Sequence, residues 1–268
     1  MTTMPIVDTA LEAGLRDLRV AAPVSVGLGA LVAVGLADEY APIDTALGRA
    51  YVAWNGRGVS WVGQAPDAAR FESRFRAEVG RDLHRAAALP ARLGRAISRR
   101  LAGDRRVRIP LDLRGHTPFE VAVWMKALEI PRGEVRPYGW VAAEIGRPKA
   151  VRAVGTALAH NPVPLVVPCH RVVRSDGLIG QYSMGGPDAK RRVLGSEGLD
   201  TRWLEAEAAA GHRYTGSDTT HIVCNPTCRD ARRVTDRHRV TFASLAAAAS
   251  AGYRPCKHCR PVSMAGAA

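Results

Sequence analysis

The sequence predicts an α+β chain in three parts. These are a small antiparallel-sheet domain at the N-terminal end, a helical segment with a helix-turn-helix, and a small cysteine-rich module at the C-terminal end. Three observations carry this. Short apolar runs split by Gly, Asp and Asn fill Val24 to Val62, helix start and stop signals alternate from Thr117 to Gly198, and four of the five cysteines lie in the last 45 residues. The 268-residue chain is long enough for a real core. Its expected divisions are 1–109, 110–200, a linker at 201–214, and 215–264.

In the first part LVAVGLA, ALGRAYVAW and VSWVG read as sheet segments, the last two joined through Asn55-Gly56-Arg57-Gly58 as a hairpin. Residues 21–37 are uncharged, but Pro, Ser and Gly interrupt them and they are short for a bilayer span, so they too read as sheet. After Pro66-Asp67, the fourfold spacing of Phe71, Phe75 and Val79 marks one face of a helix. The arginine-rich stretch at 81–102 reads as a second helix with a solvated charged face.

Thr117-Pro118-Phe119-Glu120 combines a capping threonine, a proline at the first helical position and a glutamate placed to complete a capping box. That helix presents Phe119, Val123, Trp124 and Leu128 and ends at Pro131-Arg132-Gly133. Two short helices follow, Tyr138 to Ile145 and Lys149 to Ala159, with a turn at Gly146 that suits a helix-turn-helix. Ala150, Ala153, Gly155 and Ala157 leave the second helix little bulk beside Arg152. Such a face suits a narrow groove, with the arginine filling the space of an extruded base, and it suits close helix packing equally well. Leu165-Val166-Val167 reads as a buried strand that delivers Cys169 to a rigid bend after Pro168. A turn at Ser175-Asp176-Gly177, a loop over Gly180–Gly186 and a helix to Glu197 complete this part.

A net charge of +13 points to a polyanionic partner, most simply nucleic acid. With only four lysines against 34 arginines, the charge also reflects an arginine-biased composition. An odd cysteine count and no secretory signal in the first 19 residues argue against a disulfide scaffold. A soluble cytoplasmic protein without membrane attachment is expected.

Cys169 and His170 carry the chemistry. A thiol is a weak nucleophile until deprotonated, and an imidazole beside it lowers the cost of forming thiolate. The surroundings make the pair specific: Pro168-Cys169-His170-Arg171-Val172, Asn161 eight residues before the cysteine, and the helix KAVRAVG before that. Together they resemble the O6-alkylguanine-DNA alkyltransferase family, most densely from Thr117 to Gly198. The resemblance implies a helical alkyltransferase domain that moves a methyl group from O6-methylguanine, and from O4-methylthymine, in double-stranded DNA to Cys169, once per molecule. It further implies His170 as the base acting through a water, Glu197 as its orienting carboxylate, Tyr138 as the base-flipping tyrosine and Asn161 as the hinge of the active-site turn. By the same resemblance Arg152 is the intercalating finger, on a helix whose Ala150, Ala153 and Gly155 meet the DNA. Tyr182 and Ser183 form the loop over the flipped base, and the backbone of Val172 and Cys169 reads its exocyclic amine. A monomer is expected. Tyr182 to Lys190 spans eight residues against the family's usual seven, so this lid is longer by one. A lesion sensor that binds and flips damaged bases without catalysis is the alternative, and the presence of Cys169 argues against it.

Cys224-x3-Cys228 and Cys256-x2-Cys259 have tetrahedral zinc spacing. HIVCNPTC and AGYRPCKHCRP resemble the zinc-binding module of the Ada family, which implies zinc on Cys224, Cys228, Cys256 and Cys259 and makes Cys224 a candidate second acceptor, from methylphosphotriesters. In that family the module comes first and a transcription-activating helix-turn-helix pair follows it. Here it comes last without that pair.

Overall fold

The computed structural model describes residues 24–263. Its first element is a helix, α1 (Val24–Val34), where sheet was expected. VSVGLGALVAV is apolar all round and lacks the alternation a half-buried strand needs, and Gly35, at φ 76°, closes the helix, its amide donating to Val32 O and the Leu36 amide to Leu31 O.

The sheet that follows contains a strand the apolar pattern hides. β1 (Ala37–Thr45), β2 (Gly48–Asn55), β3 (Gly58–Gly63) and β4 (Asp82–Arg85) lie in the order β3-β2-β1-β4. β1 reads ADEYAPIDT, with acids and a proline, yet it is a central strand. Its Asp38 is fully buried and satisfied by Asn55 Nδ2 at 2.9 Å, Ser60 Oγ at 2.5 Å and Arg81 Nε at 2.6 Å. Pro42 is tolerated because β4 pairs only with Ala37 to Tyr40. That β1–β4 pairing is parallel, so the sheet is mixed rather than wholly antiparallel.

One face of the sheet packs on α2 (Ala68–Val79), where Phe71 and Phe75 meet Tyr40, Tyr51 and Trp61. Asp67 caps this helix by accepting from the Arg70 amide at 2.8 Å. The expected helix over 81–102 is divided into β4 and α3 (Ala91–Leu101), because Pro90 removes a donor and restricts the residue before it. The other face shares a core with the helical part. Val52, Val59 and Val62 lie in one cluster with Trp124, Trp140, Val154, Val163 and Cys169. Val62 N–H donates to Pro162 O at 2.8 Å, across the two parts.

α4 (Pro118–Ala127) begins with the full capping box, Thr117 and Glu120 each satisfying the other's amide. It stops at Ala127, earlier than expected, and a turn carries the chain to Gly133. After β5 (Arg136–Pro137) come α5 (Tyr138–Glu144) and α6 (Val151–Ala159), turned at Gly146 with φ 72°. Residues 163–168 are not a strand: Pro162, Pro164 and a left-handed Leu165 (φ 72°) fold them into a tight buried turn. Cys169–Arg171 form a 3-10 turn, and β6 (Val172–Val173) pairs in parallel with β5. α7 (Gly186–Ser196) follows.

Residues 201–209, expected within a linker, are α8 (Thr201–Ala209). Asp200 caps this helix, and Leu204 packs with Val135, Val173, Ile179 and Leu194. The last part is a sheet of β7 (Tyr214–Ser217), β8 (Ile222–Cys224), β9 (Arg239–Phe242) and β10 (Arg254–Pro255), in the order β10-β8-β7-β9, with α9 (Leu245–Ser250) against it. Among the described residues no helix is long and apolar enough to cross a membrane.

Candidate active site and metal centre

Cys169 is buried at the end of the tight turn, where Asn161 organises the backbone from one side chain. Its Nδ2 donates to Val167 O at 3.1 Å and to Cys169 Sγ at 3.1 Å, and its Oδ1 accepts the Val163 amide at 3.1 Å. Asn161 is thus hydrogen-bonded to both limbs of the turn. Burial pushes the Cys169 thiol above its ordinary pKa, while the Asn161 bond and the Lys190 charge pull the other way. The resting group is a thiol and needs a base.

His170 is fully buried, and its Nε2 lies 3.0 Å from Glu197 Oε1. Burial drives Glu197 up, but hydrogen bonds from His170 and Arg171 outweigh it and leave the carboxyl at about 2. An ionised carboxylate only accepts, so the His170 proton resides on Nε2 and Nδ1 carries the lone pair. Nδ1 is buried with no partner among the described residues. Burial also lowers the His170 pKa, more than Glu197 raises it, so the ring is neutral near pH 7.

Beside the thiol lies a cavity of about 210 Å³ lined by Tyr138, Gly155, Leu158, Ala159, Cys169, Gln181, Tyr182 and Ser183. The N-terminus of α5, one side of α6, the cysteine turn and the 180–186 loop each contribute a wall. Tyr138 and Tyr182 are both held protonated, by burial first and then by Cys169. Tyr182 OH lies 3.6 Å from Met184 sulfur, and Met184, in the longer lid, is folded inward and buried.

The other sequence-derived candidates are placed apart from this cavity. Arg152 and Ala153 are exposed on α6, Ala150 is half-buried at its start, and the Arg152 guanidinium has no ion-pair partner among the described residues. Val172 is buried directly after the cysteine turn. Its carbonyl accepts Lys190 Nζ at 2.6 Å, and its amide donates to Cys169 O. Each carbonyl keeps a second lone pair.

At one end of β8 and in the turns beside it, Cys224, Cys228, Cys256 and Cys259 bring their sulfurs within 4.8 Å of one another, all buried and none in a disulfide. Asn225 N–H donates to Cys259 Sγ at 3.3 Å. The hydrogen bond with Cys228 foremost, then that with Cys259, holds Cys224 up, whereas Cys228 is pulled low by its bonds from both. So crowded a set of sulfurs ionises together only around a cation, and an all-sulfur set matches zinc.

Residues 118–199 match the family described as 6-O-methylguanine DNA methyltransferase, DNA binding domain, and residues 203–262 match the metal binding domain of Ada. The chain joins these two domain families. It is 50% identical over 86 residues to a methylated-DNA–protein-cysteine methyltransferase of Mycobacterium bovis, a match covering 32% of this chain and 51% of that protein. The same comparison with the Rattus norvegicus protein of that name gives 43% over 99 residues, 35% of this chain and 47% of the other. The bifunctional transcriptional activator/DNA repair enzyme Ada of Escherichia coli is 38% identical over 156 residues, 56% of this chain and 43% of that one. Among solved structures, Mycobacterium tuberculosis OGT in complex with DNA is 31% identical with a TM-score of 0.49, covering 62% of this chain and 99% of the other. The chain spans about half the length of the curated relatives it matches.

The sequence reading gave no role to two residues of the part that holds Cys169. Arg171 donates from Nε and Nη2 to both Glu197 oxygens at 2.7 to 3.1 Å, and from Nη1 to Ile130 O at 2.7 Å. Lys190 is 1% exposed, bonds the Val172 and Gln181 carbonyls and, through burial, titrates at about 8. Arg171 lies inside the quoted PCHRV, where a run of basic and apolar residues gave no sign of which faced a carboxylate. Lys190 is one of only four lysines in an arginine-biased chain, a signal available from composition. In the Ada-type module the four cysteines named from spacing are the four that converge. Bound there, zinc supplies the charge that keeps the sulfurs as thiolates.

Proposed function

We propose that the chain repairs alkylated double-stranded DNA by irreversible transfer of a methyl group from O6-methylguanine, and from O4-methylthymine, to Cys169. The observation that carries this is the cavity where a lone buried thiol meets two tyrosines and a small-residue helix. In a duplex the O6 methyl is hidden by stacking, so the nucleotide turns out into that cavity at a cost of about a few kcal/mol. Tyr138 and Arg152, at the cavity and on the exposed face of α6, favour the extruded state. Ala150, Ala153 and Gly155 let α6 approach the groove, and Tyr182 and Ser183 cover the base. Second lone pairs on the Cys169 and Val172 carbonyls are the acceptors offered to its amine.

The proton of Cys169 passes through a water to His170 Nδ1, while Glu197 holds Nε2–H and stabilises the imidazolium. The sulfur electron pair forms the S–CH3 bond as the CH3–O6 bond breaks. Its electrons move into the guanine ring, where the Tyr138 hydroxyl donates as negative charge develops. The guanine anion takes up one proton from solvent, balancing the proton that His170 took from Cys169 and returns to solvent. The products are guanine and a thioether, and with no group in this site to cleave the latter each molecule acts once. We read the active form as a cytoplasmic monomer with the methyltransferase part at 110–200 and the zinc module at 215–264.

Incubation with O6-methylguanine duplex carrying a labelled methyl, followed by peptide mapping, tests the reading. Label on the Cys169 peptide at up to one per chain is expected. Its absence, with lesion binding retained, would make the protein a lesion sensor instead.

A second acceptor is favoured by a separate cavity of about 320 Å³ beside Cys224, lined by the hydroxyls of Thr215, Ser217, Thr219, Thr220 and Thr235 with Arg233 and His238. Hydroxyls and a guanidinium are donors suited to a phosphotriester, while the His238 ring is held by Asp218 and Arg237. Cys169→Ala protein given labelled methylphosphotriester DNA is expected to take label on Cys224. No uptake leaves Cys224 a structural ligand.

A further inference from the structure

We propose that the zinc module is a working part of the Cys169 site and that Thr227, between two metal-binding cysteines, is a positioning residue for it. The inference rests on the alkyl-transfer reading above and goes beyond it.

Thr227 is fully buried, and one hydroxyl serves both backbone groups of Val135. Its Oγ1 accepts the Val135 amide at 2.9 Å and donates to the Val135 carbonyl at 3.3 Å. Val135 leads directly into Arg136–Pro137, the strand paired with Val172–Val173, and the next residue is Tyr138. A parallel pair only two residues long, one of them a proline without a donor, has little hold of its own. The anchor at Val135 therefore fixes where Tyr138 begins its helix and where Val172 lies after the cysteine turn.

The same helix is tied to the module again further along. Trp140 Nε1 donates to the carbonyl of Cys259 at 2.9 Å, and Asn225 Nδ2 reaches that carbonyl at 3.4 Å. Arg229 N–H donates to Glu134 Oε1 at 3.2 Å, and Arg260 pairs with Glu144 at 2.6 Å. Each module residue in these contacts is a metal-binding cysteine or its neighbour or near neighbour in sequence. Two modules joined only by a tether have no reason to bury such bonds, whereas here they run from the metal loops to both ends of the Tyr138 helix. Order in the metal loops is thereby order in the wall of the base cavity.

The test uses the full chain loaded with zinc. Thr227→Val keeps the shape and loses the hydroxyl, and Thr227→Ser restores it. With zinc content unchanged, Thr227→Val is expected to speed amide exchange over 134–140 and to slow methyl transfer to Cys169 by about tenfold, the scale of one buried hydrogen bond. Thr227→Ser is expected to recover both. Chelation of zinc should raise exchange over 134–140 and 170–174 together. Should Thr227→Val bind less zinc, Trp140→Phe, which lies outside the metal loops, carries the same expectation for exchange. Exchange over 134–140 that is unmoved by the variants and by chelation overturns the proposal. Because exchange needs no methyl donor, absence of transfer in the unaltered protein counts against the alkyl-transfer reading and leaves this result standing.

Discussion

The two cysteine centres both bury sulfur, and they hold its protonation state by different physics. Cys169 is alone, raised by burial, and surrounded by neutral or finely balanced groups: Asn161 at 3.1 Å, a neutral His170, and Lys190 poised at about 8. Its thiolate arises only when a proton is taken. The four sulfurs of the Ada-type module lie within 4.8 Å and are suited to a cation that keeps them ionised permanently. One centre is adjustable by single hydrogen bonds. The other holds or fails as a unit.

The sharpest way to break that contrast is to remove one member from each. Cys228→Ala should abolish stoichiometric zinc and unfold much of 214–262, because metal binding at such sites is worth roughly 10 kcal/mol or more of folding energy. Zinc analysis with near-UV circular dichroism reads this, and retention of one zinc per chain would show that three sulfurs suffice. Cys169→Ala should lose all transfer at that residue yet keep zinc, with a stability change of about 1 kcal/mol. Next in size, Glu197→Gln should slow transfer about 100-fold, the scale of general base catalysis, with lesion affinity kept. An unchanged single-turnover rate removes Glu197 from the relay.

The same contrast explains what was legible in the sequence. The metal set is four residues of one type at fixed spacing, and all four were named before any geometry. The Cys169 constellation was reached through a resemblance, since nothing in the spacing of His170 and Glu197, 27 residues apart, says that they touch. Local chemistry was read well where it is self-contained, as in the Thr117 capping box. It misled where tertiary contacts decide. Val166 and Val167 look like a strand until Pro164 and the left-handed Leu165 fold them, and β1 looks like a loop because Asp38 is buried by partners at positions 55, 60 and 81. Likewise α8 reads as a polar linker until Leu204 finds Val135 and Leu194.

Acid should separate the centres further. His170 has its pKa lowered by burial, so the transfer rate should stay flat from neutral pH to below the ordinary 6.5 and fall only as the ring takes a proton. An acid limb at or above 6.5 would contradict the burial argument. Glu197 is depressed from 4.5 to about 2, so it contributes stability that is complete above 4.5 and lost as pH falls towards 2. Acid titration of Glu197→Gln should show a shallower loss over that window. Asn161→Ala comes next, at about 1–3 kcal/mol for buried partners left unpaired. Because the Asn161 bond lowers the thiol pKa, the variant should also react more slowly with a small electrophile at fixed pH.

The smallest effect distinguishes charge from geometry inside the adjustable centre. Arg171 grips both Glu197 oxygens and spends its remaining nitrogen on Ile130 O, while His170 takes Oε1 from the other side. Arg171→Lys keeps the positive charge, so Glu197 stays ionised and His170 still finds its acceptor. It loses the planar fork that fixes the carboxylate's rotation. If charge is what the relay needs, transfer should slow by less than about tenfold, well short of Glu197→Gln. If Arg171→Lys is as slow as Glu197→Gln, the orientation of the carboxylate governs the base, and the Cys169 centre is held by geometry as strictly as the metal centre is.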